Sequence, residues 1–163
     1  MLPVQRLRSL FLDVHLCVLM AMLADVLRNH LNYTAWASSK LVDAASALTP
    51  EELMRDFATA DHNVLGTLVH VYAADRIWLG RIKGNPPARF LVPEQDMHLA
   101  ALRSDWPPLL ERWKQWAALL TEESIHRDIS YKSTKGDAFV TPTWHLPCLT
   151  GMLLICQLRS ARP

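Results

Sequence analysis

One stretch, residues 61–83 with the sequence DHNVLGTLVHVYAADRIWLGRIK, constrains the fold more than any other part of the chain. Its apolar residues recur at three- and four-residue steps, and this spacing predicts one long helix. Asp61 precedes the run as the expected N-cap, and Gly84 followed by Asn85-Pro86-Pro87 is expected to end it. Apolar residues lie on two sides of this helix, so we expect it to be packed on both, as in the core of a bundle. The main stripe consists of Val64, Leu65, Leu68, Val71, Tyr72, Leu79 and Ile82.

Two polar side chains, His70 and Asp75, interrupt this apolar helix. His70 lies away from the main stripe, beside small residues that leave room for a neighbouring helix or a ligand. A lone histidine on a packed helix is usually a satisfied core or boundary residue, so both the structural and the ligand interpretation stay open. Asp75 is interpreted as structural, paired with Arg76, Arg81 or a helix end, because a buried charge needs a partner.

Helical spacing also appears on both sides of this stretch. Residues 22–48 predict a first helix, and Thr49-Pro50-Glu51-Glu52 forms a capping box that predicts a short helix over 49–56. Residues 94–122 predict a third long helix, whose apolar face includes the tryptophans at 106, 113 and 116. Pro107-Pro108 predicts a break in that helix at Asp105-Trp106.

The last part of the chain changes character. Residues 128–140 contain a Lys-Gly-Asp turn and indicate a short hairpin or an extended excursion, and residues 143–158 form a final apolar segment. Cys148 and Cys156 within that segment are interpreted as buried small hydrophobes.

Residues 1–21 allow three interpretations. They form an N-terminal extension of the first helix, they precede a true start at Met22, or they are a secretory signal. The secretory signal is the weakest of the three interpretations, because Asp13 and His15 interrupt the apolar run. The segment is too short and too polar to span a bilayer. We therefore expect residues 1–21 to be an extension and 22–163 to form one domain.

Composition excludes several classes of function. Seventeen Lys and Arg against sixteen Asp and Glu do not indicate electrostatic attraction to nucleic acid as a main function. Three cysteines disfavour a disulfide scaffold and suit the cytoplasm. The histidines show no local metal-ligand spacing, and no phosphate-binding or nucleophile motif is present.

Three separated pieces of the sequence resemble the DinB/YfiT-like family of bacterial metalloenzymes. They are LNYTAWASSKLVDAASALTPEEL, then GTLVHVYAADRIWLGRIKG with His70, Asp75 and Trp78, and then YKSTKGDAFVTP at 131–142. The resemblance covers about residues 22–143. It implies an all-α, four-helix bundle in an up-down-down-up arrangement, with a hairpin before the last helix. It also implies a zinc or nickel site of three histidines, one matching His70 and two on the last helix.

The resemblance stops after Thr141-Pro142. The last segment reads TWHLPCLTGMLLICQLRSARP, and the two ligand positions would fall near Leu153 and Gln157, which cannot replace imidazole. A change of reading frame near codon 143 is slightly favoured over a lineage-specific ending, because a frame change replaces everything downstream at once.

Two functions therefore remain as hypotheses. The first is a metal-dependent hydrolase or thiol S-transferase with an impaired site, His70 as a ligand, and a small-molecule or thiol substrate. The second is a metal-free helical bundle that serves as an interaction module or is an inactive remnant. The catalytic residues are unknown. We expect a homodimer, and Leu68 and Trp78 in the core.

Overall fold

The computed structural model describes residues 4–58, 60–89, 91–92, 95, 98–133 and 135–145, with side chains from residue 23 onward. The chain is mainly helical in this part. Its elements are α1 (Val4–Ala45), α2 (Pro50–Met54), α3 (Val64–Ile82), α4 (Leu99–Ala118), α5 (Glu122–Ile125), β1 (Asp128–Lys132), β2 (Ala138–Pro142) and a 3-10 turn (Thr143–His145). Among the described residues, none of the helices has both the length and the apolar character needed to cross a membrane.

Helix α1 continues from Val4 through the predicted first helix, so residues 4–21 extend that helix. A stripe of small and aliphatic residues on α1 is buried, namely Ala24, Leu27, Leu31, Ala35, Val42 and Ala45. Trp36 and Leu41, two large apolar residues of α1, are 56% and 38% exposed. Helix α1 has more apolar residues than one buried face can hold. The small residues on the buried face allow neighbouring helices to pack closely.

Helix α2 begins at the predicted capping box. The Thr49 side chain accepts a hydrogen bond from the Glu52 N–H, and the Glu52 carboxylate accepts one from the Thr49 N–H. Two N-terminal donors are thereby satisfied within four residues, which is why the local sequence alone predicted this turn of helix.

Helix α3 is buried on two sides, as predicted. Leu68, Val69, Val71, Tyr72, Ala73, Ala74, Ile77 and Leu79 are all buried. The helix ends where expected, since Gly84 follows with a positive φ of 71°, a left-handed conformation that glycine adopts without strain. The core lies between α1, α3 and α4, and includes Leu27 and Leu31 of α1 together with Leu102, Trp106 and Trp113 of α4.

The predicted break in α4 is wrong, because the helix runs through Pro107 and Pro108 without interruption. Both prolines are exposed, as are Arg103 and Ser104, whose carbonyls would otherwise receive the two missing N–H groups. Water can therefore satisfy those carbonyls. Burial of Trp106 and the leucines that follow the prolines holds the helix together. The expected core positions Trp106 and Trp113 are confirmed, and Trp116 is half-buried.

The predicted hairpin is confirmed. Strands β1 and β2 pair antiparallel, with Tyr131 opposite Phe139. The Tyr131 ring meets Trp78 of α3 edge-on, with 5.1 Å between ring centroids. Leu68 is buried as expected, but Trp78 is only half-buried, so its expected core position is wrong. Trp78 joins the hairpin to α3 at the edge of the core.

The predicted last helix, residues 143–158, lies outside the described residues apart from Thr143–His145, which form a 3-10 turn. Cys148 and Cys156 also lie outside them. Thr143 attaches this turn to the preceding loop, because its N–H and hydroxyl both donate to the Arg127 carbonyl, at 2.9 and 2.7 Å.

Candidate functional site

His70 lies in the middle of α3 and contacts an acid from outside that helix. Its Nδ1 is 3.0 Å from Oδ1 of Asp61, nine residues earlier. The His70 side chain is 33% exposed and the Asp61 side chain 17% exposed. The pair is therefore accessible to solvent on one side and sheltered on the other, as a ligand-binding histidine would need to be.

The structure corrects the role predicted for Asp61. The N-cap of α3 is Asn63, whose side-chain oxygen accepts a hydrogen bond of 2.7 Å from the Gly66 N–H. Asn63 also donates its N–H to the Asp61 carbonyl, at 2.7 Å. Because Asn63 caps the helix, the Asp61 carboxylate is available to His70. An equally good capping residue two positions later, Asn63, was the signal in the sequence that left the cap at Asp61 undecided.

The turn before α3 is built around this pair. A Cβ at Gly66 would lie 2.3 Å from the Asp61 carbonyl oxygen, so only glycine permits this approach. His62, next to Asp61, adopts a positive φ of 62°, which is uncommon outside glycine. Within the described part of the chain, Oδ2 of Asp61 is buried without a hydrogen-bond partner. Close backbone approach and local strain thus place the Asp61 carboxylate against the imidazole.

The chemistry available to the pair follows from the tautomer. A neutral His70 that donates its Nδ1–H to Asp61 carries its lone pair on Nε2. Histidines that bind metal through one nitrogen commonly donate the other N–H to a carboxylate, which fixes the ring and raises its basicity. The Asp61–His70 pair is one such arrangement.

The described residues do not supply a complete metal site. They contain no group of three or more His, Cys, Asp or Glu side chains that could hold a metal ion. His62 lies on the same loop but faces Asp56 at 3.8 Å in an exposed pair. The predicted ligand positions Leu153 and Gln157 lie outside the described residues. His70 is the predicted ligand that lies among the described residues, and its role as a metal ligand stays a prediction.

Asp75 plays a different part, deep in the core. It is 2% exposed, and one carboxylate oxygen accepts a hydrogen bond of 2.9 Å from Nε1 of Trp106. The Trp113 indole donates to the Asp75 main-chain carbonyl at 3.2 Å. Desolvation raises the pKa of the Asp75 carboxyl to about 7, and the Trp106 hydrogen bond acts in the opposite direction.

The predicted arginine partners of Asp75 are wrong. Arg76 lies over the Tyr72 ring, 5.7 Å from its centroid, and Arg81 lies against Trp78. The Trp106 indole is the donor to the carboxylate instead, because a neutral N–H group can be buried with less desolvation cost than a guanidinium. The cavity beside Asp75 is about 10 Å³, room for one water at most, so this carboxyl does not face a substrate site.

A histidine on a packed helix that is oriented by a carboxylate is an arrangement found at protein metal sites. The sequence model of the DinB family matches residues 22–137, which is most of the chain. The chain therefore belongs to the DinB family, as the three sequence pieces indicated. Searches of curated proteins and of solved structures found no match.

Proposed function

We propose that this chain is a DinB-family protein of the metal-dependent hydrolase or thiol S-transferase class with an impaired metal site. The observation that carries the proposal is the 3.0 Å contact between His70 Nδ1 and Asp61 Oδ1. This contact presents one oriented imidazole, which is the part of a metal centre that the chain retains. The substrate would be a small molecule or a thiol, and the protein would act in the bacterial cytoplasm, as its few cysteines suggest.

The number of protein ligands available beside His70 limits the activity. A zinc or nickel centre with an open position lowers the pKa of a bound water or thiol, and needs about three protein ligands to do so. The described residues contain no group of three side chains, His70 among them, that could hold a metal ion. No histidine follows His145 in the sequence. A three-histidine centre does not fit these residues, so we derive no catalytic step through a metal.

The architecture of the proposal is the four-helix, up-down-down-up bundle implied by the family. Packing of α1, α3 and α4 around one core supports it. Residues 143–158 would supply the fourth helix. We also propose a homodimer, since large apolar side chains such as Val26 and Trp36 on α1 are 57% and 56% exposed. A monomer mass by light scattering at tens of micromolar would contradict the dimer.

The second candidate function is a metal-free interaction module. The lack of a metal-binding group among the described residues favours it. The two candidates differ in one measurable property, whether metal binding depends on His70.

The test is zinc and nickel binding to the purified full chain, measured by competition with a chromophoric chelator. We expect weak binding that His70→Ala abolishes and that Asp61→Asn weakens by about 10- to 100-fold, the range found when carboxylate partners of metal-binding histidines are lost. His126→Ala is the control, because His126 is an exposed histidine outside the turn that positions Asp61.

Three outcomes would contradict the proposal. Metal binding that survives His70→Ala would place the site elsewhere. Tight stoichiometric binding at His70 would show that the site is not impaired. Complete absence of binding would favour the metal-free module.

The hypothesis of a frame change has its own test. Translation of the gene in its other two frames beyond codon 143 should show a His-x-x-x-His helix, and restoring that frame should restore tight metal binding. If neither frame shows such a helix, the hypothesis fails.

A further inference from the structure

A concave surface lies far from His70, between the end of α3, the loop after it and the hairpin. This hairpin groove has a volume of about 510 Å³ and is lined by Arg81, Pro86, Tyr131, Lys132, Phe139 and Val140, among others. Arg81 lies eleven residues after His70 on the same helix, which is about 16 Å at ~1.5 Å per residue. The groove is therefore separate from the site proposed for metal.

Apolar side chains make up much of the surface of the groove. Phe139 is 48% exposed and Val140 is 64% exposed on strand β2. The Tyr131 and Phe139 rings stack with their centroids 5.8 Å apart and form an aromatic wall. Sites for small molecules are typically about 300–1,000 Å³, mostly apolar, with a few polar groups that fix orientation. The hairpin groove has this size and this character.

The charged residues that line the groove, Arg81 and Lys132, are both cationic. The Arg81 guanidinium packs against two adjoining rings, 4.5 Å from the Trp78 centroid and 4.4 Å from the Tyr131 centroid. It donates a hydrogen bond of 3.1 Å to the Lys132 carbonyl, which fixes its position. Partial burial lowers the pKa of Arg81, because desolvation disfavours the charged form. A nearby anion would offset that cost.

No acid balances these cations. The residues that line the groove include Arg81 and Lys132 but neither Asp nor Glu. Among the described residues, the ion pairs do not involve either of these two cations. An aromatic wall beside two uncompensated cations is complementary to a molecule with an apolar body and an anionic group.

We propose that the hairpin groove binds a small amphipathic anion, a carboxylate, sulfonate or phosphate attached to an aromatic or aliphatic body. The apolar body would lie against Phe139 and Tyr131, and the anionic group would face Arg81. The Lys132 side chain leaves β1 on the opposite side from Tyr131, so its ammonium would add attraction at the edge of the groove. A second copy of the chain fits less well, because a two-fold interface through this groove would bring its cations close to those of the other copy. The binding does not depend on the proposed metal site.

The experiment uses two matched fluorescent probes on the full chain. The anionic probe is 8-anilinonaphthalene-1-sulfonate, and its neutral counterpart is N-phenyl-1-naphthylamine. We expect the anionic probe to bind saturably at one site and more tightly than the neutral probe. A chelator should leave this binding unchanged, which separates it from the metal site at His70.

Two pairs of variants assign the site. Lys132→Gln should weaken binding of the anionic probe about three- to fivefold, the factor that corresponds to one partly exposed charge, and leave the neutral probe unchanged. Lys114→Gln, an exposed lysine on α4, is its control. Phe139→Ala should weaken both probes, whereas Leu119→Ala, which removes a 76% exposed side chain elsewhere, should not.

Several results would overturn the proposal. They are equal effects of Lys132→Gln and Lys114→Gln, equal affinity for the two probes, or loss of binding in chelator. Conversion of a dimer into a monomer by Phe139→Ala would assign the groove to contact between copies instead. Circular dichroism of each variant checks the fold, and Lys132→Gln decides the question if Phe139→Ala disturbs the hairpin.

Discussion

Replacing Asp75 with asparagine should make the stability of the protein less dependent on pH. Asp75 is buried, and its carboxyl has a pKa of about 7 in the folded chain against 3.8 as the ordinary value. Because the folded-state pKa is raised, the folded state favours the protonated carboxyl. The stability that this group contributes is fully present below pH 3.8, and it is lost as the pH rises from there to about 7.

The magnitude follows from the difference between the two pKa values. From 3.8 to about 7 is about 3 pH units, and at about 1.4 kcal/mol per unit the total loss is about 4 kcal/mol. Between pH 5 and pH 8 the ionisation of Asp75 lowers the free energy of unfolding by about 3 kcal/mol, since the effect ends near pH 7. Asp75→Asn removes this loss, because an amide does not ionise.

The assay is urea unfolding of both proteins at pH 5 and pH 8. The side-chain oxygen of the introduced asparagine can still accept the Trp106 hydrogen bond, but its NH₂ group needs a new partner, at a cost of about 1–3 kcal/mol. That cost is the same at both pH values and cancels in the comparison. The free energy of unfolding of Asp75→Asn, relative to the unchanged chain, should therefore rise by about 3 kcal/mol from pH 5 to pH 8.

Two further variants complete the test. Asp43→Asn removes an exposed acid from α1 and is the matched control. Trp106→Phe removes the hydrogen bond that lowers the pKa of Asp75, so it should raise that pKa further. A relative stability of Asp75→Asn that is equal at both pH values, within about 1 kcal/mol, would refute the reasoning, because it would mean that Asp75 ionises in the folded chain without cost.

Three further predictions concern stability and can be measured by denaturant unfolding. Trp78→Ala should cost about 1–3 kcal/mol, less than the ~3–5 kcal/mol of a fully buried tryptophan, because the ring is half-buried; a larger loss would show a core position. Gly66→Ala should cost about 1–3 kcal/mol, since its Cβ would lie 2.3 Å from the Asp61 carbonyl; a neutral result would mean that the turn can shift. Replacing both Pro107 and Pro108 with alanine should stabilise the protein by about 1–3 kcal/mol by restoring two helical N–H donors. Destabilisation would show that the rigidity of the prolines stabilises α4 by more than the two hydrogen bonds would.

The sequence by itself determined the features that depend on neighbouring residues. The apolar spacing of residues 61–83 predicted a helix packed on two sides, and α3 has that form. The capping box at Thr49, the positive φ at Gly84 and the hairpin around residues 128–142 were also predictable. Periodicity, capping and turn chemistry act within a few residues, so one chain segment contains the information.

The tertiary structure alone decided which side chains meet. Asp61 faces His70 because Asn63 caps the helix and Gly66 allows the backbone to approach, and Asp75 pairs with an indole from α4 rather than a nearby arginine. Helix α4 continues through its prolines because burial of Trp106 outweighs two lost hydrogen bonds on an exposed face. These outcomes depend on desolvation and on packing between elements distant in sequence, and local spacing contains neither.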